Sequence, residues 1–452
     1  MENANNDNTQ RVTTAETSPP ASGLLEKIFK LKAHGTSVKT ELLAGLTTFI
    51  TMAYIIFVNP NIMAASGMDP GAVFVATCIG AALATLIMGL YANWPVGLAP
   101  GMGLNAFFAF TVVGEMGYSW EVALGAVFWS GIIFTAMSFW KIREWVLDAI
   151  PESLRYAMTA GVGLFLGLVG LKTAGIVVAS PATLVTLGDF TQPSAWLAAV
   201  CFLVISILAY RKIFGAVLIG VLGVSLIGLL MGIVEYNGIF AMPPSIEPTF
   251  MKLDIMGALN VGMITVILAF LFVNMFDTAG TLMGVAERAN LRNPDGSIEG
   301  LGKSLKADSA SSVIGTFVGC PPVTSYVESA AGVAAGGRTG LTAVTIAALF
   351  ILAMFLAPLA GMIPPYATAG ALIYVAFAMM SSLAKIDWED YTEMAPAAIT
   401  ALMMPLTFSI ANGIAMGFVS YAVLKLATGQ ARQVSIGVYV LSAIFIAKFI
   451  YM

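Results

Sequence analysis

Charge is what this sequence has least of. Lys and Arg number 21 and Asp and Glu 25 among 452 residues, 10% in all, against about 25% in a soluble globular chain. Histidine occurs once, at His34, ahead of every long apolar run. No imidazole is therefore available to relay protons inside those runs. The three cysteines, Cys78, Cys201 and Cys320, stand far apart in or beside apolar stretches. That excludes a metal-ligand spacing and a disulfide framework, and each reads as a small apolar residue. The net charge is −4, and no basic stripe with interleaved aromatics occurs, which excludes nucleic acid as a partner. Phosphate loops are missing too. "GLGKS" at 300–304 has Ser297 where the pattern needs glycine. "GMGLNA" at 101–106 fits a dinucleotide fingerprint only formally, because it lies in an apolar run with no strand-helix-strand unit around it. No cofactor and no enzyme activity follow, and any work the chain does must draw on an ion gradient.

What is present is apolar: 58% of residues, with a mean hydropathy of +0.89. The chain reads as an all-α polytopic membrane protein. Residues 1–40 are polar and read as a mostly disordered lead-in, without the basic-then-apolar layout of a cleaved signal. The first span then does the targeting. A spanning helix needs about 20 apolar residues. The charge-free windows are 42–68, 70–114, 122–140, 156–171, 190–210, 213–234, 255–276, 309–327, 339–384, 394–424 and 433–447. The second contains "YANWPVGLAPGMG", a break that leaves only Leu104 to Val113 behind it, too short to span. Window 309–327 ends near "GCPPVTS", after which a short helix is expected from about Ser325 to Ala335. Splitting on this basis gives about 14 segments, with a further apolar stretch at 434–451.

The loops supply an independent check. With the N-terminus inside, the inner loops should be basic. They hold Lys27, Lys30, Lys32 and Lys39, then Lys141 and Arg143, then Arg211 and Lys212. Arg288, Arg292, Lys303 and Lys306 follow, and then Arg338, Lys385, Lys425 and Arg432. The intervening loops carry Asp69, Glu115, Glu121, Glu235 and Glu247. The alternation holds only if both broken segments count as crossings.

The halves also echo each other. "FVNPNIMAASG" at 57–67 resembles "FVNMFDTAG" at 272–280, "LIMGLYANWP" at 86–95 resembles "SVIGTFVGCP" at 312–321, and "TAGVGLF" at 159–165 resembles "TAGALIY" at 368–374. Seven segments per half is an odd number, so the second copy is inverted. Inverted repeats of this kind mark transporters, whose site lies where broken helices meet near the midplane. Here those are segments 3 and 10.

Asp277 is the only charge between Asp254 and Glu287. A carboxylate at mid-bilayer costs roughly 2.5–3.5 kcal/mol, and is tolerated where it faces a cavity or holds a proton. The structural alternative is a polar clip or a cap. Glu328, in "PPVTSYVESAAG", falls in the first turn of the short segment 10 helix. There it either binds ligand or merely satisfies the helix dipole. Pro321 and Pro322 before it argue for an extended strand, tolerated only where it lines a cavity. Asn105 sits at the matching point of segment 3, as a ligand to a neutral polar molecule or as a cap. Asn274 is three residues before Asp277 on the same helix face. Among flanking aromatics, Phe276 and Tyr326 are nearest the acids and are the candidates to stack on a planar ligand.

"FVNMFDTAGTLMGVAERANL", "GCPPVTSYVESAAGVAAGGRTGLTA", "GLNAFFAF" and "AKIDWED" together resemble the AzgA-type purine permeases, a branch of the nucleobase–cation symporter 2 (nucleobase–ascorbate) superfamily. The resemblance runs from about Leu24 to the C-terminus, and the "APGMGLNAFFAF" wording is most similar to the adenine permeases. It implies proton-coupled purine uptake and the uracil-permease fold. In that fold a core, 41–140 and 255–362 here, moves against a gate, 141–254 and 363–452. It implies that Asp277 and Glu328 are the substrate- and proton-linked acids, and that Asn105 and Ala106 lie in the segment 3 backbone that meets the base. Ser329 stands where the uracil and xanthine permeases carry Asn. The stretch near Thr281 lacks the uracil permeases' His, and Asn274 replaces an Asp of fungal relatives. These departures argue against uracil and xanthine. The implied partners are a purine nucleobase, a proton, the lipid bilayer of a bacterial inner membrane and, as an option, a second copy in a homodimer. A guanine/hypoxanthine permease is the alternative, ahead of a uracil or anion carrier or an ion channel.

Overall fold

The computed structural model describes residues 23–139, 150–289, 291 and 298–451. Lys141, Arg143, Arg292 and residues 1–22 lie outside the described residues. A short helix, Leu24–Phe29, precedes segment 1 (Val38–Ala64) and segment 2 (Pro70–Ala92). Segment 3 opens as strand β1 (Leu98–Pro100) and continues as helix Met102–Glu115. Segment 4 is Trp120–Phe139, and segment 5 is Glu152–Thr173. A hairpin of β2 (Val177–Ser180) and β3 (Leu184–Leu187) leads to segment 6 (Pro193–Tyr210) and segment 7 (Ala216–Leu230). Segments 8 and 9 are Val261–Arg288 and Leu301–Phe317. Segment 10 is strand β4 (Val323–Ser325) followed by helix Ser329–Ala334. Segments 11 and 12 are Gly340–Gly361 and Pro365–Lys385. Segments 13 and 14 are Tyr391–Leu406 and Ile410–Ala427.

Local chemistry explains many of these limits. Ser37 and Asp69 cap segments 1 and 2, each accepting a backbone N–H three residues on. Proline occupies the first helical position of segments 2, 6 and 12, where its missing N–H costs nothing. Asn93, with φ of +55°, closes segment 2 in the left-handed region.

The two broken segments meet as a two-stranded antiparallel ladder: Leu98 opposite Ser325, Ala99 opposite Thr324, Pro100 opposite Val323. Extended backbone inside a bilayer has no water to bond, so each strand satisfies the other. A hydroxyl from the preceding segment steadies each strand. Thr85 Oγ1 accepts from Leu98 N at 2.8 Å and lies 3.0 Å from Leu98 O, while Ser312 Oγ donates to Val323 O at 2.6 Å. The corresponding roles in the two halves express the inverted repeat. One sequence expectation needs correction. The segment 10 helix begins at Ser329, not Ser325, because strand pairing holds the chain extended through Ser325. The fold is the helical membrane architecture expected, with this ladder and the β2–β3 hairpin as its short strands. The apolar stretch at 434–451 forms a further helix, Ile436–Tyr451, packed on segment 14.

Nine helices among the described residues are long and apolar enough to cross a membrane. Segment 11 packs on segments 1 and 2, segment 9 on 2 and 4, and segment 10 on 1. Segment 5 packs on segments 12 and 13, and segment 6 on 7 and 12. Buried Glu41, in the first turn of segment 1, accepts from Arg338 N at 2.9 Å, Thr339 N at 3.3 Å, and Thr342 N and Oγ1 at 3.2 and 2.6 Å. This carboxylate caps segment 11 from a neighbouring helix. Asn93 Nδ2 donates to Phe29 O and Asn93 Oδ1 accepts from Gly340 N, while Trp94 Nε1 donates to Glu299 O. The N-terminal helix, the end of segment 2 and the starts of segments 1, 9 and 11 therefore share one end of the molecule.

Candidate functional site

A cavity of about 780 Å³ lies beside the crossing of β1 and β4. Its deep wall is built by segment 1 at Tyr54, segment 3 at Gly101–Leu104, segment 8 at Phe276, Asp277 and Thr281, and segment 10 at Thr324–Glu328. Segment 5 at Val162 and segment 12 at Tyr374 face them. The breaks bring these groups together. Ala53 and Tyr54 interrupt segment 1 between helices Val38–Met52 and Ile55–Ala64, and the two strands replace helix at the same place.

Asp277 lies midway along segment 8, and Glu328 immediately precedes the segment 10 helix. Both are half-buried and line the same cavity. The two lysines that line the cavity, Lys212 and Lys385, sit at loop ends rather than beside the acids. Glu328 makes no capping bond to its helix. Its Oε1 instead accepts the Tyr54 hydroxyl at 2.7 Å. The side chain is thus bonded to segment 1 rather than to the N–H groups of its own helix, and one of its two oxygens is already engaged.

The other named residues divide between the cavity lining and the packing around it. Phe276 lines the cavity and stacks on Phe272 at 6.4 Å. Tyr326 lines it too, but its hydroxyl donates to Pro100 O across the strand crossing. Thr281 is on the lining. Asn105 is fully buried, with its Nδ2 donating to Asn59 Oδ1 at 2.6 Å, and Asn59 Nδ2 donating to Thr77 Oγ1 at 2.7 Å. It joins segments 1, 2 and 3 from behind. Asn274 does the same in the other half through Ser312 at 2.9 Å. Ala106 is packed in the core. Ser329 Oγ accepts from Gly97 N at 3.0 Å and fastens the strand crossing. The segment 3 residues on the lining are Gly101–Leu104, just before Asn105.

Two groups escaped the sequence reading. Tyr54 lay unnoticed in the apolar run "TMAYIIFV". Asp308 is fully buried on segment 9, where Oδ2 accepts from Thr278 Oγ1 at 2.6 Å and Oδ1 from Ser325 Oγ at 2.9 Å. Thr278 also bonds Thr324 at 3.0 Å. Asp308 therefore ties segment 8 to β4 behind Asp277. In the sequence it stands two residues after Lys306, at the edge of a charge-free window, and reads as loop charge. The signal that could have found it is the serine-rich "DSASS" on an otherwise apolar segment, since hydroxyls accompany a buried carboxylate.

The cavity reaches toward Lys212–Gly215 and Ser381–Lys385. At the other end, Thr111 Oγ1 of segment 3 donates to Phe408 O at 2.6 Å, and the rings of Phe110 and Phe165 pack edge-on to Phe408.

The comparisons with known proteins agree with this arrangement. The transmembrane domain of a cyanobacterium bicarbonate transporter, BicA, matches with a TM-score of 0.61 at 14% identity, covering 84% of this chain and 97% of that one. That likeness shows the shared inverted-repeat transporter fold. The adenine permease AdeP of Escherichia coli is 50% identical over 97% of this chain and 98% of its own length. The guanine/hypoxanthine permease PbuG of Bacillus subtilis is 43% identical over 95% of this chain and 100% of its own length. A family model described as "Permease family" matches residues 39–418. The chain belongs to that permease family, in the AzgA-type branch of the nucleobase–cation symporter 2 superfamily.

Proposed function

We propose that this protein is a proton-coupled importer of purine nucleobases, with adenine the preferred substrate. The observation that carries the reading is the cavity at the β1–β4 crossing, lined by Asp277 and Glu328, neither of which is ion-paired among the described residues. Two carboxylates without a cation suit a neutral ligand rich in N–H donors and a proton, and repel an anion. The higher identity to AdeP than to PbuG, 50% against 43%, supports adenine over guanine or hypoxanthine.

In this reading Glu328 accepts an N–H bond from the base and Phe276 lies against its face. Asp277 takes a proton from outside, which makes the complex easier to move through a low-dielectric barrier. The core, 41–140 and 255–362, then shifts against the gate, 141–254 and 363–452. The packing supports that division, since segments 1, 2, 9, 10 and 11 pack among themselves and segments 5, 6, 7, 12 and 13 among themselves. Gly103 and Val162 meet between the two groups so closely that a Cβ on Gly103 would collide with Val162, and a smooth backbone is what a sliding contact needs. The basic loop ends support a cytoplasmic N-terminus and a cavity mouth open to the same side. The Thr111–Phe408 contact is then the closed outer side. One proton moving through 100 mV supplies about 2.3 kcal/mol, a concentration ratio of about fifty.

The test is uptake of radiolabelled adenine into proteoliposomes under an imposed pH gradient, with unlabelled adenine, guanine, hypoxanthine and uracil as competitors. Saturable uptake that needs the gradient and is blocked best by adenine supports the reading. Uptake indifferent to the gradient, or blocked best by uracil, contradicts it.

A further inference from the structure

The Tyr54–Glu328 hydrogen bond sets how strong an acceptor one oxygen of the acid is. Tyr54 is fully buried in the break of segment 1, and its hydroxyl donates to Oε1 of Glu328 at 2.7 Å. Glu328 therefore meets a ligand with Oε1 already bonded to a hydroxyl, which makes that oxygen a weaker acceptor for a second donor than an unbonded one.

Purines differ in what they present to such a group. Guanine has two adjacent donors on one edge, N1–H and the 2-amino group, which match both oxygens of a free carboxylate in a bidentate pair. Adenine has no such edge in its common tautomer, because its 6-amino donor is flanked by ring nitrogens that accept. Hypoxanthine has N1–H beside an oxygen that accepts. A carboxylate with one oxygen weakened by a hydroxyl favours a single-donor edge over a donor–donor edge, and partly offsetting the charge on Oε1 also eases the approach of a neighbouring ring nitrogen's lone pair.

We infer that Tyr54 is a positioning residue for substrate choice: by bonding Oε1 of Glu328 it weakens that oxygen as an acceptor, which tunes the site to a single-donor base edge and against the donor–donor edge of guanine. This rests on the reading of Glu328 as the purine-binding acid.

Tyr54→Phe keeps the ring in its packing and frees Oε1. The experiment measures equilibrium competition by unlabelled guanine, hypoxanthine and adenine on purified wild type, Tyr54→Phe, Glu328→Gln and the double variant. Restoring Oε1 to full acceptor strength should tighten guanine about fivefold in Tyr54→Phe. Hypoxanthine, with one donor on that edge, should change by less than about threefold, and adenine should weaken or stay level. The guanine gain should vanish in Tyr54→Phe/Glu328→Gln. A merely structural role for Tyr54 would move all three bases together. An unchanged guanine-to-adenine ratio in Tyr54→Phe, with Glu328→Gln still impaired, overturns the inference and leaves the purine site standing. A guanine gain that survives in the double variant overturns it too, since space alone would then explain the gain. Wild type that binds none of the three bases removes the purine reading itself, and the inference with it. Should Tyr54→Phe not yield folded protein, Tyr54→Leu exposes the same oxygen and carries the same expectation.

Discussion

Replacing Glu41 should destabilise the protein more than any other single acid outside the cavity, and its hydrogen bonds give the size of the effect. The carboxylate is fully buried and holds the N-terminus of segment 11 through Arg338 N, Thr339 N, Thr342 N and Thr342 Oγ1. Glu41→Ala takes all of these away. Thr342 retains other acceptors, since its N–H can reach Thr339 O at 3.2 Å and its hydroxyl Glu41 O at 3.3 Å. Arg338 N and Thr339 N are left without a partner. An orphaned buried donor costs about 1–3 kcal/mol, so the loss is about 2–6 kcal/mol. Glu41→Gln keeps one oxygen, best placed at the Oε2 position where three donors converge, and turns an amide toward Arg338 N. It should cost about 1–3 kcal/mol. A thiol-reactive fluorogenic dye supplies the assay, because Cys78, Cys201 and Cys320 are all free and buried and react only on unfolding. In a chain of this size each kcal/mol shifts the midpoint by roughly 2 °C. Glu41→Ala should therefore melt roughly 4–12 °C below wild type, with Glu41→Gln between them. Equal midpoints for Glu41→Ala and wild type would refute the reasoning, because they would mean that the segment 11 donors have no need of this carboxylate.

Three further outcomes are expected. Asp277→Asn should preserve binding of adenine within a few-fold and abolish accumulation against a gradient; undiminished accumulation in proteoliposomes would remove Asp277 from the coupling step. Gly332→Ala places a methyl against Thr48 Oγ1 and the Ala44 carbonyl, which should push the segment 10 helix away from segment 1 and weaken adenine binding about fivefold or more, a close-packing cost of about 1–3 kcal/mol. Thr111→Val deletes the hydrogen bond to Phe408 O and should favour the outward-open form about fivefold, as expected for a bond of about 1 kcal/mol; labelling of a cysteine introduced at Val113 by an impermeant reagent reports it, and an unchanged labelling rate would show that this contact does not hold the outer side shut.

Much of this was legible in the sequence because lipid imposes few solutions. Long charge-free windows, proline breaks and alternating loop charge mark crossings whether or not the packing is known, and the breaks at Pro95–Pro100 and Pro321–Pro322 marked where the strands would meet. Asp277 and Glu328 stood out because a lone carboxylate in such a window needs a reason. What stayed hidden depends on three-dimensional pairing. Asn105 looked like a ligand and Asn274 like a partner of Asp277 because their polarity is visible in sequence, but their bonds to Asn59 and Ser312 are long-range. Tyr54 carries no sequence mark of its contact with a residue 274 positions away. The strand register that keeps Ser325 out of the helix likewise depends on a partner more than 200 residues distant.

The central claim is that Glu328 binds the base. Glu328→Gln is nearly isosteric and costs the membrane less than a carboxylate does, so the variant should insert and fold. With one oxygen engaged by Tyr54, the remaining oxygen meets the ligand, and replacing its charge with a neutral amide should cost about a charge-assisted bond, a tenfold or greater loss of affinity. The measurement is equilibrium binding of adenine to purified wild type and Glu328→Gln at matched melting midpoints. The account predicts a dissociation constant at least about tenfold higher in the variant. Equal constants would contradict it, whatever the variant does in transport.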